Sequence, residues 1–169
     1  FLWRNPKDRR DVPVFIGESQ PPAGRNTAFC DRLLDAAIKL GVQEVYTFAS
    51  MATEMLPSSP SRVLGVATDA EGIAKLKRSE VSLLESGRIT GLNGVFLAAA
   101  AERGLRGIGL LGEIPAVAAQ IPYPKASRTV LETFSALSGI DVDVEELVRY
   151  EKTVDRQLSG LFSKIQNAM

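Results

Sequence analysis

The sequence predicts a single soluble α/β domain in which helices flank a mostly parallel central sheet. Two observations carry that expectation. A short apolar run, residues 12–17, is followed by a helix-length segment and a second β-rich run, 44–50. Strand, helix, strand in that order favours parallel pairing. Further on, a segment apolar nearly all round, 92–103, reads as a helix buried on several sides, and the glycine-rich run that follows, 107–112, reads as a core strand.

The elements are justified in chain order. Val12-Pro13-Val14-Phe15-Ile16-Gly17 stops at glycine and reads as a buried strand. Pro21-Pro22 blocks regular structure in the loop after it. Asn26 is the expected N-cap of a helix reaching about Leu40, with Phe29, Leu33, Ala37 and Leu40 as its apolar stripe and Gly41 closing it. Residues 44–50 form a second strand and 51–61, with Pro57 and Pro60, an irregular stretch. Residues 62–69 form a third strand. The connection to it is about a dozen residues without helical pattern, so parallel and antiparallel pairing both stay open. Thr68 with Glu71 makes a capping-box pattern before a short helix near 70–78, and 81–84 is a fourth strand. Gly104 ends the apolar helix, and Gly139 closes another over 125–137. The last helix starts at Asp141 or Asp143 and runs to about Asn167.

In that last helix Val144, Leu147, Val154, Leu158, Leu161 and Ile165 recur at three- and four-residue steps, with Glu151 the one polar break. Such a seam serves packing against the domain or a subunit contact. The expected organisation is an arm, 1–11, an α/β core, 12–142, and a C-terminal helix, 143–169, lying on the core or on a neighbouring subunit.

Composition narrows the functions. At 169 residues, 45% hydrophobic and 24% charged, one core is enough without staples. No run approaches the ~18 apolar residues of a membrane span. Phe1-Leu2-Trp3 is followed at once by charges, unlike a signal peptide. Lys plus Arg and Asp plus Glu number 20 each, which lacks the basic footprint of a nucleic-acid binder. Arg4, Lys7, Arg9 and Arg10 read as a solvated cluster. The single cysteine, Cys30, permits no intrachain disulfide, fits a cytoplasmic setting and reads as a small buried hydrophobe. There is no histidine, so Ser-His-Asp and Cys-His mechanisms within the chain are excluded, as is a histidine zinc site. No metal or other cofactor is implied.

Candidate site residues follow from position. Ligands in open parallel sheets bind beyond the carboxyl ends of strands. Glu18, Gln20, Ser50, Met51, Gly112 and Glu113 lie there. Glu18 and Glu113 would supply paired carboxylates for acid–base work or a cation, or would cap backbone amides or pair with Lys125 or Arg88. In the glycine-rich segment 87–94, Thr90 and Asn93 cap the following helix or touch a ligand. That segment matches neither a Walker loop nor a dinucleotide fingerprint. In 112–127 three prolines fix the backbone around Tyr123, and Lys125 and Ser127 open the next helix. A rigid, exposed Pro/Tyr loop is a protein-contact surface or an ordered connector.

The ordered set Gly17-Glu18, Leu40-Gly41-Val42, Gly65-Val66-Ala67-Thr68-Asp69, Ile89-Thr90-Gly91-Leu92-Asn93-Gly94, Leu110-Leu111-Gly112-Glu113-Ile114-Pro115 and Pro124-Lys125-Ala126-Ser127 resembles the proteasome assembly chaperone type-two family. The resemblance spans about 12–147. It implies a three-layer architecture similar to nucleoside phosphorylases, homo-oligomers and, in archaea and eukaryotes, assistance to proteasome α-ring assembly. Two departures stand out. Family members usually begin with a further strand and a Gly-rich turn, which is not evident before Val12. Proteasome-docking relatives can end in a hydrophobic–Tyr tail, whereas this chain ends Gln166-Asn167-Ala168-Met169. Bacterial relatives carry suggestions of an ATP-dependent ligase, for which no motif is present. The expected function is a non-enzymatic, oligomeric, protein-binding module whose partners are itself and another protein. The alternative is a small-molecule or nucleotide-binding enzyme, ligase- or phosphorylase-like, using the strand-end carboxylates.

Overall fold

A computed structural model describes residues 1–4, 11–84 and 91–166. Two short strands, β1 (Leu2–Trp3) and β2 (Val12–Pro13), pair antiparallel with each other and stand apart from the main sheet. Helix α1 (Asn26–Lys39) leads into β3 (Glu44–Thr53), followed by β4 (Val63–Ala67), α2 (Ala70–Arg78), β5 (Ser82–Leu83), α3 (Leu92–Glu102), β6 (Arg106–Pro115), α4 (Pro124–Ser138) and α5 (Glu145–Gln166). The main sheet has the order β3-β6-β4-β5.

β6 is the strand on which the sheet is built. It pairs parallel with β3 over ten residues, from Glu44↔Arg106 to Thr53↔Pro115. Its other edge pairs antiparallel with β4, from Val63↔Gly112 to Ala67↔Ile108. β5 returns parallel to β4. The orientation left open for the third strand is therefore antiparallel, and its neighbour is β6 rather than β3. The physical reason is the connection after β3: it has no helix to carry the chain back to the starting end of the sheet, so β4 enters from the end at which β3 leaves.

Alternation along β6 separates the layers. A Cβ on Gly107 or Gly109 would press on Leu97 of α3, whereas one on Gly112 would meet Val130 and Ala126 of α4. On the first face Cys30 and Leu34 of α1 join Leu97, Ala99 and Ala100 of α3 over Val45. On the second, Leu76 of α2 and Val130, Phe134 and Leu137 of α4 pack on Val63, Ile108 and Leu110. A further cluster, Ile114, Ala118, Tyr123, Ala126, Val154 and Leu158, lies beneath α5. The result is helices on both faces of a central sheet.

Several expectations change. Residues 12–17 are not a buried core strand. Only Val12–Pro13 is extended in a ladder, and Val14, Phe15 and Ile16 are 40%, 53% and 69% exposed. An apolar run is buried only where a neighbour covers it, and the ladder partner here is two residues of β1. The anticipated 12–17/44–50 parallel unit is thus replaced by the long-range β3–β6 pair. β3 continues past Ser50 to Thr53 because β6 offers a partner at every position. Arg25, not Asn26, holds the α1 N-cap position, with no side-chain cap. Asp69 caps α2, its Oδ1 accepting from the Gly72 amide at 2.7 Å. Thr68 instead accepts from the Gly107 amide at 2.8 Å, and Glu71 pairs with Arg106, so the Thr68–Glu71 capping box does not form. α5 starts at Glu145, later than either expected aspartate, and Asp143 Oδ1 accepts from the Glu145 amide at 2.9 Å. In the α5 seam Val154 and Leu158 are buried against the protein's own core, while the Leu161 and Ile165 side chains lie outside the described ones. Among the described residues no helix is long and apolar enough to cross a membrane.

Candidate functional site

The ends of β3 and β6 and the start of α4 meet over the loop 54–62, and two polar clusters grip that loop. The first surrounds Glu113. Glu113 lies two residues before Pro115, whose register partner is Thr53. Thr53 Oγ1 donates to Glu113 Oε1 at 2.8 Å. Arg62 closes a two-pronged pair, Nε to Oε2 at 2.8 Å and Nη2 to Oε1 at 2.9 Å. Main-chain bonds tighten it: the Glu113 amide donates to the Arg62 carbonyl, and Ser61 Oγ donates to the Glu113 carbonyl. The Glu113 side chain is 4% exposed and that of Arg62 73%. The Arg62 hydrogen bonds, opposed by burial and aided by Thr53, hold the Glu113 carboxyl below its ordinary value. Glu113 therefore stays ionised at neutral pH with both oxygens engaged. Its partner is Arg62, not Lys125. Arg88, the other expected partner, lies outside the described residues.

The second cluster surrounds Lys125. Its Nζ donates to the Pro57 carbonyl at 2.7 Å and pairs with Asp155 Oδ2 of α5 at 2.9 Å. It also lies 5.8 Å from the Tyr123 ring centroid. Burial pushes the Lys125 ammonium down, but the Asp155 carboxylate and Tyr123 together outweigh it and hold the group above the usual lysine range. Asp155 Oδ1 is buried with no hydrogen-bond partner. Tyr123 is buried, contrary to the expected exposed Pro/Tyr loop. It directly precedes α4, so its ring falls beneath α5 beside Val154 and Leu158. The exposed apolar residues of this stretch are Val117 and Ile121, each 44% exposed.

The remaining expected residues do not gather with these. Glu18 is exposed, and no contact joins it to Glu113 among the described residues. Asn93 does not cap α3: its Nδ2 donates to the Phe48 carbonyl of β3 at 2.9 Å, and Gly91, at φ +78°, holds the N-cap position. Thr90 lies outside the described residues. Ser127 is exposed in the first turn of α4. Gln20 lines an open hollow of about 490 Å³ between residues 19–22 and the face of α1 that carries Arg25, Phe29 and Arg32. Arg62, Thr53, Pro57 and Asp155 were not foreseen. Arg62 stands 51 residues from its partner, and no local spacing signals that pairing.

A family model for the PAC2 family matches residues 1–161. An uncharacterised protein of Methanocaldococcus jannaschii is 29% identical over 159 residues, which is 92% of this chain and 58% of that protein. The chain thus spans little more than half the length of that relative. The crystal structure of Pyrococcus furiosus PbaB, an archaeal proteasome activator, superposes with a TM-score of 0.81 at 26% identity, over 95% of this chain and 69% of that one. Pyrococcus furiosus PbaA, an archaeal homologue of proteasome-assembly chaperone, gives 0.71 at 25% identity, over 93% and 62%. A Mycobacterium tuberculosis proteasome-assembly chaperone homologue shares the fold, at 0.80 and 24% identity over 94% and 65%.

Proposed function

The chain belongs to the PAC2 family, and on that premise we propose that it is a non-enzymatic, oligomeric, protein-binding module of the cytoplasm that acts on proteasome assembly or activity. Relatives at 26% and 25% identity are a proteasome activator and a homologue of a proteasome-assembly chaperone. The observation in the chain itself that supports the reading most is the apolar arm. Val14, Phe15 and Ile16 stand 40–69% exposed in one run, and Leu2 and Trp3, of the two strands that stand apart with them, are 52% and 41% exposed. Contiguous bare apolar surface of this kind marks an interface. The enzyme alternative draws no support from the strand ends, because Glu113 is saturated by Arg62 and Thr53 and meets no second carboxylate among the described residues.

The test is co-expression with the proteasome subunits of the same organism, followed by capture on a tag and light scattering of the purified chain. Retained subunits and a mass above that of one chain are expected. A monomer that retains none would overturn the reading. A nucleotide and phosphate thermal-shift panel addresses the enzyme alternative, since a ligand at 100 times its Kd adds ~2.7 kcal/mol of stability. No shift is expected.

A further inference from the structure

The hollow beside α1 has a lining suited to one kind of partner. Arg25, Phe29 and Arg32 recur along α1 at spacings of four and three, so they lie in one line along the helix. Pro21 and Pro22 form part of the facing wall, with a backbone that proline stiffens. Phe29 is held from behind by the Phe15 ring, 5.6 Å away between centroids. Among the described residues no carboxylate lines the hollow.

Its two arginines are exposed and unneutralised. The carboxylates of α1 itself are Asp31 and Asp35, and Arg103 at the C-cap of α3 takes both of them. Arg25 and Arg32 have no hydrogen bond or ion pair through their guanidiniums among the described residues. Arg62, Arg106 and Arg128, by contrast, are each engaged by a glutamate.

We infer that this hollow is a docking groove for an extended acidic peptide segment of a partner protein. The peptide carries two carboxylates about three residues apart, with an apolar side chain between them. Seven residue steps separate the arginines, a rise of ~10.5 Å. An extended chain covers that in about three residues at ~3.3 Å each. Guanidiniums pair carboxylates in two-pronged geometry. Phe29, Pro21 and Pro22 supply apolar surface for the residue between. An open groove suits a chain that passes through it rather than an enclosed small molecule. A free phosphate would leave the apolar wall unused. A nucleic acid would call on a broad basic field, which a chain with 20 acidic and 20 basic residues lacks. The inference rests on the protein-binding reading above and names the chemistry of the partner.

Fluorescence anisotropy tests it with a labelled peptide of core Asp-Leu-Ala-Asp. The wild-type chain is expected to bind it, with affinity falling as salt rises. The double variant Arg25→Glu/Arg32→Glu, which changes two exposed side chains and leaves the melting temperature unmoved, is expected to bind at least about tenfold more weakly. The same variant should take up the Lys-Leu-Ala-Lys peptide that wild type rejects. A core of Asp-Gly-Gly-Asp should lose affinity with the apolar side chain. Equal binding by wild type and the double variant, no binding by wild type, or preference for inorganic phosphate or an oligonucleotide would each overturn the groove. Capture of proteasome subunits is read separately. If the double variant fails the peptide arm yet retains subunits as wild type does, those subunits do not dock in the groove and the broader function stands. If wild type retains no subunit, the broader function fails whatever the peptides do.

Discussion

Glu113 is an ionised residue only 3% exposed, and it is tolerable there because Thr53 and Arg62 donate three hydrogen bonds to its carboxylate. Arg62 itself is largely in water, so the pair stabilises less than its geometry suggests. The effect of removal comes mainly from leaving Thr53 Oγ1 and the Arg62 guanidinium without their acceptor. Glu113→Ala should destabilise by ~1–2 kcal/mol, at the lower part of the range for a buried hydrogen-bonded group. The pH dependence has a definite sign. The folded carboxyl titrates below its unfolded value of ~4.3, so its contribution is fully present above that value and is lost as pH falls through the folded one. Urea midpoints of wild type and Glu113→Gln, measured from pH 7 down to pH 3, should differ most at neutral pH and converge in acid. A constant difference across that range would show that the charge is not what the site uses.

At the scale of elements, α5 is latched to the body through Lys125–Asp155 and Arg128–Glu151, above the buried Val154 and Leu158. Lys125→Met keeps the apolar stem but strands Asp155 and leaves the Pro57 carbonyl with only the 3.5 Å donation from Tyr123 Oη, and is expected to cost ~1–3 kcal/mol. Hydrogen exchange should then quicken in α5 while α3 is unchanged. Asp155→Asn should cost less, since an amide oxygen still accepts from Lys125. The packing of α4 on β6 gives a second check. A Cβ on Gly112 would lie 2.9 Å from Val130 Cγ2 and 3.2 Å from the Ala126 carbonyl, and main chain cannot yield cheaply. Gly112→Ala should lower the melting temperature, at ~1–3 kcal/mol of overpacking. How much of this was legible in the sequence depends on how local the cause is. The ends of α3 and α4 follow from nearby signals, Gly104 and Gly139, and α2 keeps its expected bounds although Asp69, not Thr68, caps it. The 12–17 run was misread because its alternative to burial is set by what covers it, a long-range fact. Glu113 and Lys125 were legible as strand-end and helix-start positions. Their partners Arg62 and Asp155 were not, because register and helix packing choose them.

At the scale of the molecule, apolar side chains are distributed unevenly. The three core clusters account for the sheet faces and the underside of α5, yet Leu2, Trp3, Val14, Phe15 and Ile16 remain outside all of them. A two-residue ladder is too short to order such surface by itself, so the arm draws its stability from what it rests on. Phe15 rests on Phe29 of α1, while Ile16, at 69% exposure, contributes little to the fold. The two residues therefore separate folding from association. Ile16→Glu should change stability by no more than ~0.5 kcal/mol, as expected for an exposed position. If the arm is an interface, the same change places a charge where an apolar surface is to be buried, and association should weaken sharply. Light scattering across a dilution series reads self-association, and tag capture reads partner binding. Dilution should also depress the melting temperature of wild type and leave that of Ile16→Glu unmoved, since only an associating chain has a concentration-dependent midpoint. An Ile16→Glu chain that keeps both the mass and the partners of wild type would remove the arm from the interface. Any self-association would then have to be sought at another exposed apolar surface, such as Ile38 and Leu40 at the end of α1 or Val117 and Ile121 beside the start of α4.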